Sequence, residues 1–203
     1  DPDHLLGVRS ESESWMGAAG LTGKFGNFDW NVHYQHGESK TVNTNVNQIL
    51  MGNMLASLHA VDRGVFAGGA ANGQIVCRVT LTNPNAYPGC VPLNGFGASP
   101  ASQKAALDYI TGDNFNIPKF TMDTISAGFN GTAFENWAGP VRFAVSGEYR
   151  KLKLDVTSDT PANDFANCTG IRFGCTQGVT SRVRDALLQD VNVAETVKEA
   201  AIE

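Results

Sequence analysis

The sequence predicts an all-β protein: a segment of an antiparallel transmembrane β-barrel with long extracellular loops that contain short helices. Three observations lead to this prediction. Apolar and polar residues alternate along several segments, these segments pair through short turns, and the connections on the other side are very long. Outer-membrane barrels combine short turns on one side with long loops on the other, whereas a compact soluble domain rarely tolerates such insertions.

The first predicted hairpin consists of two strands, residues 13–25 and 28–36. A Gly-Asn dipeptide lies between them, and such dipeptides are typical of two-residue hairpin turns. When Phe25 is placed opposite Phe28, one face of the hairpin is continuously apolar and the other is polar. Two strands that alternate independently and then agree in register predict a β-hairpin.

A second hairpin is predicted from residues 121–134 and 141–154, with Ala133 opposite Val141. Its faces divide in the same way into an apolar side and a polar side. A fifth strand is predicted at residues 189–203 from a weaker alternation, and a helix is the alternative there.

Two long extracellular loops are predicted, at about residues 37–120 and 155–188. Within the first loop, apolar residues at helical spacing predict an amphipathic helix from Ile49 to Val65. A second short helix is predicted from Ser102 to Ile110, with Ser102 as its N-cap. Both helices are expected to pack against the rest of the loop.

Each hairpin face has a predicted environment. In a membrane barrel the apolar face meets lipid and the polar face lines the lumen, whereas in a soluble sandwich they would be core and surface. The residues predicted to face lipid are Leu21, Trp30, Val32, Tyr34, Phe129, Phe143, Val145 and Tyr149. The residues predicted to face the lumen are Lys24, Asp29, Asn31, Arg142, Glu148 and Arg150. The alternation alone leaves both environments open, and the unequal connections favour the barrel.

The four cysteines form two local couples, Cys77 with Cys90 and Cys168 with Cys175. Each couple lies in a long connection rich in Asn, Pro, Gly and Thr, which favours two loop disulfides in an oxidising compartment. Free thiols are the alternative. A zinc site is disfavoured, because no Cys-x-x-Cys pair exists and the histidines are scattered.

Composition and motifs exclude several function classes. The net charge is −5 and no basic stripe exists, so a nucleic-acid partner is not expected. No nucleotide-binding, hydrolase or metalloprotease motif is present, and we expect neither an enzyme nor a bound cofactor or metal. Three acidic residues between 155 and 164 lack the spacing of a calcium loop and are expected to be solvated.

Two blocks resemble one protein family. The block Cys77-Arg78-Val79-Thr80-Leu81-Thr82-Asn83-Pro84, continuing through Gly89-Cys90-Val91-Pro92-Leu93-Asn94, resembles an extracellular loop of proteobacterial TonB-dependent outer-membrane receptors. The stretch Trp137-Ala138-Gly139-Pro140-Val141, leading to Gly147-Glu148-Tyr149-Arg150, resembles a barrel hairpin of the same group. The resemblance covers most of residues 13–203.

The resemblance implies an internal segment of a transporter barrel of about 22 strands that imports a scarce nutrient with energy from TonB. The implied ligand is a siderophore, an oligosaccharide or a peptide. The implied partners are outer-membrane lipid, the plug and other strands of the receptor, TonB acting through the plug, and an unknown extracellular ligand. The implied location is the bacterial outer membrane, with the loops extracellular. A soluble secreted β-sandwich binding module, adhesin or lectin-like, is the alternative, and a secreted hydrolase is less favoured.

Overall fold

The computed structural model describes residues 5–96, 98–161, 163–185 and 190–203. The chain is mostly antiparallel β-structure, with 56% strand and 15% helix. It divides into two units. The described residues of unit 1 lie within 5–10, 43–116 and 158–185, and those of unit 2 lie within 11–42, 117–157 and 190–203.

Seven strands are described, and five of them belong to one sheet. The strands are β1 (Gly7–Phe25), β2 (Phe28–Ile49), β3 (Ala60–Asp62), β4 (Ile75–Cys77), β5 (Thr111–Asn136), β6 (Gly139–Ser158) and β7 (Val191–Ile202). The large sheet has the order β1-β2-β5-β6-β7, and β3 pairs with β4 separately. The described strands do not close into a barrel. The helices are α1 (Met51–Leu58), α2 (Arg63–Phe66), α3 (Arg78–Thr82) and α4 (Lys104–Ile110).

Side-chain contacts confirm the predicted register of β1 against β2. The Lys24 ammonium lies 3.3 Å from the Asp29 carboxylate, as expected when Phe25 is opposite Phe28. The indole of Trp30 lies so close to Gly23 that a Cβ at Gly23 would be 2.5 Å from the ring. A glycine is therefore needed opposite this tryptophan, since any larger residue would collide with it.

The strand β7 confirms the strand that was predicted from the weak alternation at residues 189–203. It pairs antiparallel with β6 from Val145 opposite Ile202 to Val156 opposite Val191. Residue 189, where the strand was predicted to begin, lies outside the described residues.

The strands extend further than the sequence predicts, so the prediction of a loop over residues 37–120 is wrong in its bounds. β2 continues to Ile49 and β5 already begins at Thr111. The apolar alternation stops in these outer parts while backbone pairing continues, and periodicity therefore gave no signal for them. β6 likewise runs to Ser158, into the predicted loop 155–188. Residues 97, 162 and 186–188 of the two predicted loops lie outside the described residues.

The helix predicted from Ile49 to Val65 is shorter than expected. The helix α1 ends at Leu58, and the strand β3 and the short helix α2 occupy the rest of the predicted segment. Ala60 lies opposite Cys77 in the β3–β4 ladder, and the His59 carbonyl accepts a hydrogen bond from Arg78 N at 2.7 Å. This tertiary pairing overrides the helical periodicity of the segment.

The helix predicted from Ser102 to Ile110 begins instead at Lys104. A short 3₁₀ turn, Pro100–Gln103, precedes it, and the Ser99 side chain accepts a hydrogen bond from Ser102 N at 3.3 Å. The capping serine is therefore Ser99 rather than Ser102, because Pro100 at the first position starts the turn earlier.

The buried apolar side chains lie almost entirely in unit 1. The core cluster there consists of Ala56, Cys77, Val79 and Tyr87. Among the described residues of unit 2, one hydrophobic residue is buried, Val156. Unit 1 thus has a core of its own, whereas the sheet of unit 2 has apolar residues with little covering them.

Candidate functional site

One face of the sheet in unit 2 carries a continuous apolar surface, which we call the apolar band. Leu21 is 69% exposed, and Val145 and Tyr149 are 40% and 41% exposed. All eight residues that were predicted to face lipid are exposed or half-buried: Leu21, Trp30, Val32, Tyr34, Phe129, Phe143, Val145 and Tyr149. An uncovered apolar surface of this extent is typical of a face that meets a partner or a membrane.

Aromatic rings join three neighbouring strands within the apolar band. Phe28 on β2 stacks on Phe129 of β5, with 5.2 Å between ring centroids. Phe143 on β6 lies 5.6 Å from Phe28 and 5.9 Å from Phe129. These contacts place the two predicted hairpins with their apolar sides on the same face.

On β6 the two faces exchange polarity just beyond Tyr149. The residues that follow Tyr149 on the same face are Lys151, Lys153 and Asp155. On the opposite face, polar residues up to Arg150 give way to Leu152, Leu154 and Val156. Leu154 lies opposite Val193 of β7, and Val156 opposite Val191, so the new apolar side extends across both strands.

The apolar band ends in a polar cluster on β2 and β5 as well. The Tyr34 hydroxyl donates a hydrogen bond to the Asp123 carboxylate at 2.8 Å, and His36 Nδ1 lies 2.7 Å from the same oxygen. The ring of Trp15 lies 4.9 Å from that of His36. The last residues of the apolar band on β1, β2 and β6 are therefore aromatic: Trp15, Tyr34 and Tyr149. Polar or charged side chains follow them on the same face.

The polar face of the sheet holds the residues that were predicted to line a lumen. Glu148 and Arg150 form an ion pair along β6. Asn31 and Glu148 line one open depression of about 770 Å³, together with Ser126, Ser146 and Glu199. Arg142 lines a neighbouring depression with Asp29. Hydroxyl, amide and carboxylate groups therefore dominate this side of the sheet.

Unit 1 contains a further cavity of about 430 Å³, which we call the loop cavity. Its lining includes Leu50, Asn53, Tyr87, Tyr109, Phe165 and Arg182. Sequence reasoning missed it, because these side chains come from five separate segments and form no motif. The predicted disulfides each close a local loop and join none of these segments to another.

Hydrogen bonds hold the walls of the loop cavity in place. The Tyr87 hydroxyl donates to the Asn167 carbonyl, and Asn53 Nδ2 donates to the Tyr109 carbonyl at 2.9 Å. Arg182 Nε donates to the Asp164 carboxylate at 2.5 Å, so the guanidinium charge is paired. The cavity is therefore built from groups whose positions are fixed before any ligand arrives.

Both predicted disulfides form, and they flank the loop cavity. Cys77 is bonded to Cys90 with 6.1 Å between Cα atoms, and Cys168 to Cys175 with 5.5 Å. Tyr87 lies inside the first disulfide loop. The bridges thus constrain the two chain segments whose hydrogen bond closes one wall.

Both phenols that line the loop cavity stay protonated. Burial raises the pKa of the Tyr109 phenol above its usual value. Burial, followed by the charge interaction with Tyr109, raises the pKa of Tyr87. Both phenols are therefore neutral and able to donate hydrogen bonds at pH 7.

The three acidic residues considered for calcium have separate partners. Asp155 lies 2.7 Å from the Lys153 ammonium, Asp159 accepts a hydrogen bond from Phe115 N, and Asp164 pairs with Arg182. Within the described ranges, no group of three or more His, Cys, Asp or Glu side chains is arranged to hold a metal ion.

The chain matches no protein-family model, no curated protein and no solved structure. In the described part of the chain, none of the helices has the length and apolar character needed to cross a membrane. The functional assignment therefore depends on the geometry of the apolar band and of the loop cavity.

Proposed function

We propose that the chain is part of an outer-membrane active transporter that imports a scarce nutrient with TonB energy coupling. The observation that carries the membrane location is the apolar band, which is uncovered and ends where the two faces exchange polarity. The coupling to TonB is supported by the resemblance of residues 77–94 and 137–150 to TonB-dependent receptors.

The length of the apolar band matches the thickness of a bilayer. On β6 it extends from Val141 to Tyr149, and on β1 from Phe25 to Trp15. These stretches contain nine and eleven residues. A tilted strand needs about 9 to 11 residues to cross the hydrocarbon core. Each of these two strands thus presents apolar side chains for one membrane crossing and no further.

The exchange of polarity supports a membrane more strongly than the alternation does. A strand that leaves lipid for water needs polar groups on its outer face, as Lys151 and Lys153 provide. Its inner face is then free to carry apolar groups such as Leu152 and Leu154. In a soluble sandwich the core side stays apolar along the whole strand, and such an exchange has no purpose.

The arrangement of unit 2 also weighs against the β-sandwich alternative. A sandwich buries its apolar side under a second sheet about 10 Å away. The long strands described in unit 2 all belong to one sheet, and Leu21 and Val145 remain exposed. The free edges at β1 and β7 would pair with further strands of the barrel, since unpaired backbone groups are costly in lipid.

Vesicle flotation tests the proposed location. The complete barrel in which the free edges of this chain are paired, refolded from detergent into phosphatidylcholine vesicles, is expected to float with the lipid and to resist extraction at pH 11. Protein that stays soluble and monomeric without detergent, and that remains at the bottom of the gradient, would establish the sandwich instead.

Nutrient uptake tests the proposed activity. Deletion of the gene in its host should abolish energised uptake of one nutrient, and loss of TonB should have the same effect. Uptake that persists without TonB would show that the protein is a passive channel.

A further inference from the structure

We infer that the loop cavity binds an uncharged, polyhydroxylated ligand, an oligosaccharide, with Phe165 as the ring on which a sugar stacks. As a statement about transport, this inference rests on the proposed function, because it names the class of nutrient that is imported. Binding itself takes place within unit 1 and is measurable without a membrane.

The loop cavity has the size and composition of a ligand site. Its volume of about 430 Å³ falls within the range of about 300 to 1,000 Å³ that is usual for small-molecule sites. Aromatic rings and a few polar groups line such sites, as Tyr109, Phe165 and Asn53 do here.

Phe165 is the most exposed aromatic residue that lines the loop cavity. It is 39% exposed, although it lies among residues that are otherwise well packed, with Ala166 beside it only 3% exposed. Its backbone bridges to Ser181, and Ala166 N donates to the Thr180 carbonyl at 2.8 Å. An exposed ring on a fixed backbone suits the flat, C–H-rich face of a pyranose, which gains from removing both apolar surfaces from water.

Two amide groups offer complementary hydrogen bonds. Asn53 uses Nδ2 to reach the Tyr109 carbonyl, and its Oδ1 has no partner among the described residues. Asn167 uses Oδ1 to accept from Thr169 N at 3.0 Å, which leaves its Nδ2 as a donor. An acceptor and a donor together match hydroxyl groups, since each hydroxyl both donates and accepts.

The charges around the cavity disfavour an anionic ligand. Arg182 is its cationic side chain, and the guanidinium is already bound to the Asp164 carboxylate and the Asp159 carbonyl. A ferric chelate with several carboxylates would require unpaired arginine or lysine side chains, because charge-assisted bonds supply most of its affinity. The loop cavity offers neutral donors and acceptors instead.

Isothermal titration calorimetry on the full chain in detergent tests the inference. The probes are maltohexaose, cellohexaose, xylohexaose and chitohexaose, and ferric citrate and hexa-alanine are titrated separately as ligands of other classes. At least one of the four glycans is expected to bind, and neither ferric citrate nor hexa-alanine is. Binding of ferric citrate or hexa-alanine, or of none of the glycans, would overturn the inference.

Variants connect binding to the cavity. Phe165→Ala should weaken glycan binding about tenfold or more, as expected for loss of a central aromatic contact, whereas Phe165→Trp should retain it. The matched control is Phe96→Ala, which removes a 93% exposed ring of unit 1 that does not line the cavity. Equal binding by Phe165→Ala and Phe96→Ala proteins with native near-ultraviolet circular dichroism would refute the assignment. Glycan binding by a protein whose complete barrel fails to float with vesicles would refute the proposed transporter and leave the binding site intact.

Discussion

The Tyr34 hydroxyl and the Asp123 carboxylate are joined by a 2.8 Å hydrogen bond between β2 and β5. Tyr34 is the last apolar-face residue of β2 before polar side chains begin, and Asp123 is the first charged residue after Ile125 on β5. The bond therefore lies at the boundary where the apolar band ends. Phenol groups favour this level of a bilayer, because the ring sits in the apolar region and the hydroxyl reaches polar groups.

Removing this hydroxyl should cost stability. Tyr34→Phe is expected to lower the free energy of unfolding in detergent micelles by about 1 kcal/mol, the usual contribution of one hydrogen bond. Tyr149→Phe is the matched control, because that phenol lies at the same boundary on β6 and its hydroxyl has no partner among the described residues. Urea unfolding curves measure both. Identical midpoints for the two variants would show that the Tyr34–Asp123 bond adds nothing.

Arginine substitutions on the two faces of β6 should differ strongly. Val145→Arg places a charge in the middle of the apolar band and should impair membrane insertion by about 2 to 4 kcal/mol. Ser146→Arg, on the polar face beside Glu148, should be much milder. The yield of folded protein in vesicles, read from heat-modifiable migration on gels, compares them. Equal yields would contradict the assignment of the faces.

The sequence was sufficient to predict the hairpins and their faces. The alternation around Gly23 and Trp30 was unambiguous, since apolar and polar residues fell on opposite sides in one register. The outer halves of β2 and β5 were missed, because their residues are largely polar on both faces and so carry no apolar period. The predicted strand 141–154 crosses the exchange of polarity at Arg150 and stops four residues before β6 ends at Ser158.

The Asp62 carboxylate should make unit 1 sensitive to acid. Backbone N–H groups, that of Asn72 foremost and then those of Val65, Gly73 and Gly64, hold the pKa of Asp62 below its usual value. A lowered pKa means that this stabilisation is present above the usual pKa and is lost as the pH falls through the lowered value.

Thermal melting of Asp62→Asn measures this contribution. The variant should melt at a lower temperature than the native chain at pH 7, and the difference should shrink at pH 3. Asp108→Asn serves as the control, because that carboxylate pairs with Lys104 on a helix surface of the same unit. A difference between Asp62→Asn and the native chain that does not change with pH would refute the role of the ionised carboxylate.

The Cys77–Cys90 disulfide should contribute most to the stability of unit 1. Closing a loop with a sequence separation of 13 residues stabilises by about 3 kcal/mol through the unfolded state, and Cys77 also belongs to the buried core. A Cys77→Ser/Cys90→Ser double variant should lose more stability than a Cys168→Ser/Cys175→Ser double variant, whose bridge spans 7 residues and lies outside that core cluster. Denaturant unfolding of both variants decides the order, and the reverse order would contradict it.

No sequence pattern predicted the loop cavity, although the local couples of cysteines predicted its two disulfides. Tyr87, Tyr109 and Phe165 are far apart in the chain and were unremarkable singly. Their convergence depends on long-range contacts such as the hydrogen bond from Tyr87 to Asn167. Such contacts are set by tertiary packing rather than by any local period.

The lipid exposure of Trp30 tests the central claim most directly. In a Trp15→Phe/Trp137→Phe protein, Trp30 is the single remaining tryptophan and lies within the apolar band. Its fluorescence in vesicles of phosphatidylcholine brominated in the middle of the acyl chain should be strongly quenched relative to unbrominated vesicles. A Trp15→Phe/Trp30→Phe protein, which keeps only Trp137 in the exposed turn, should be quenched weakly. Equal and weak quenching of both proteins would show that hydrocarbon does not cover the apolar band.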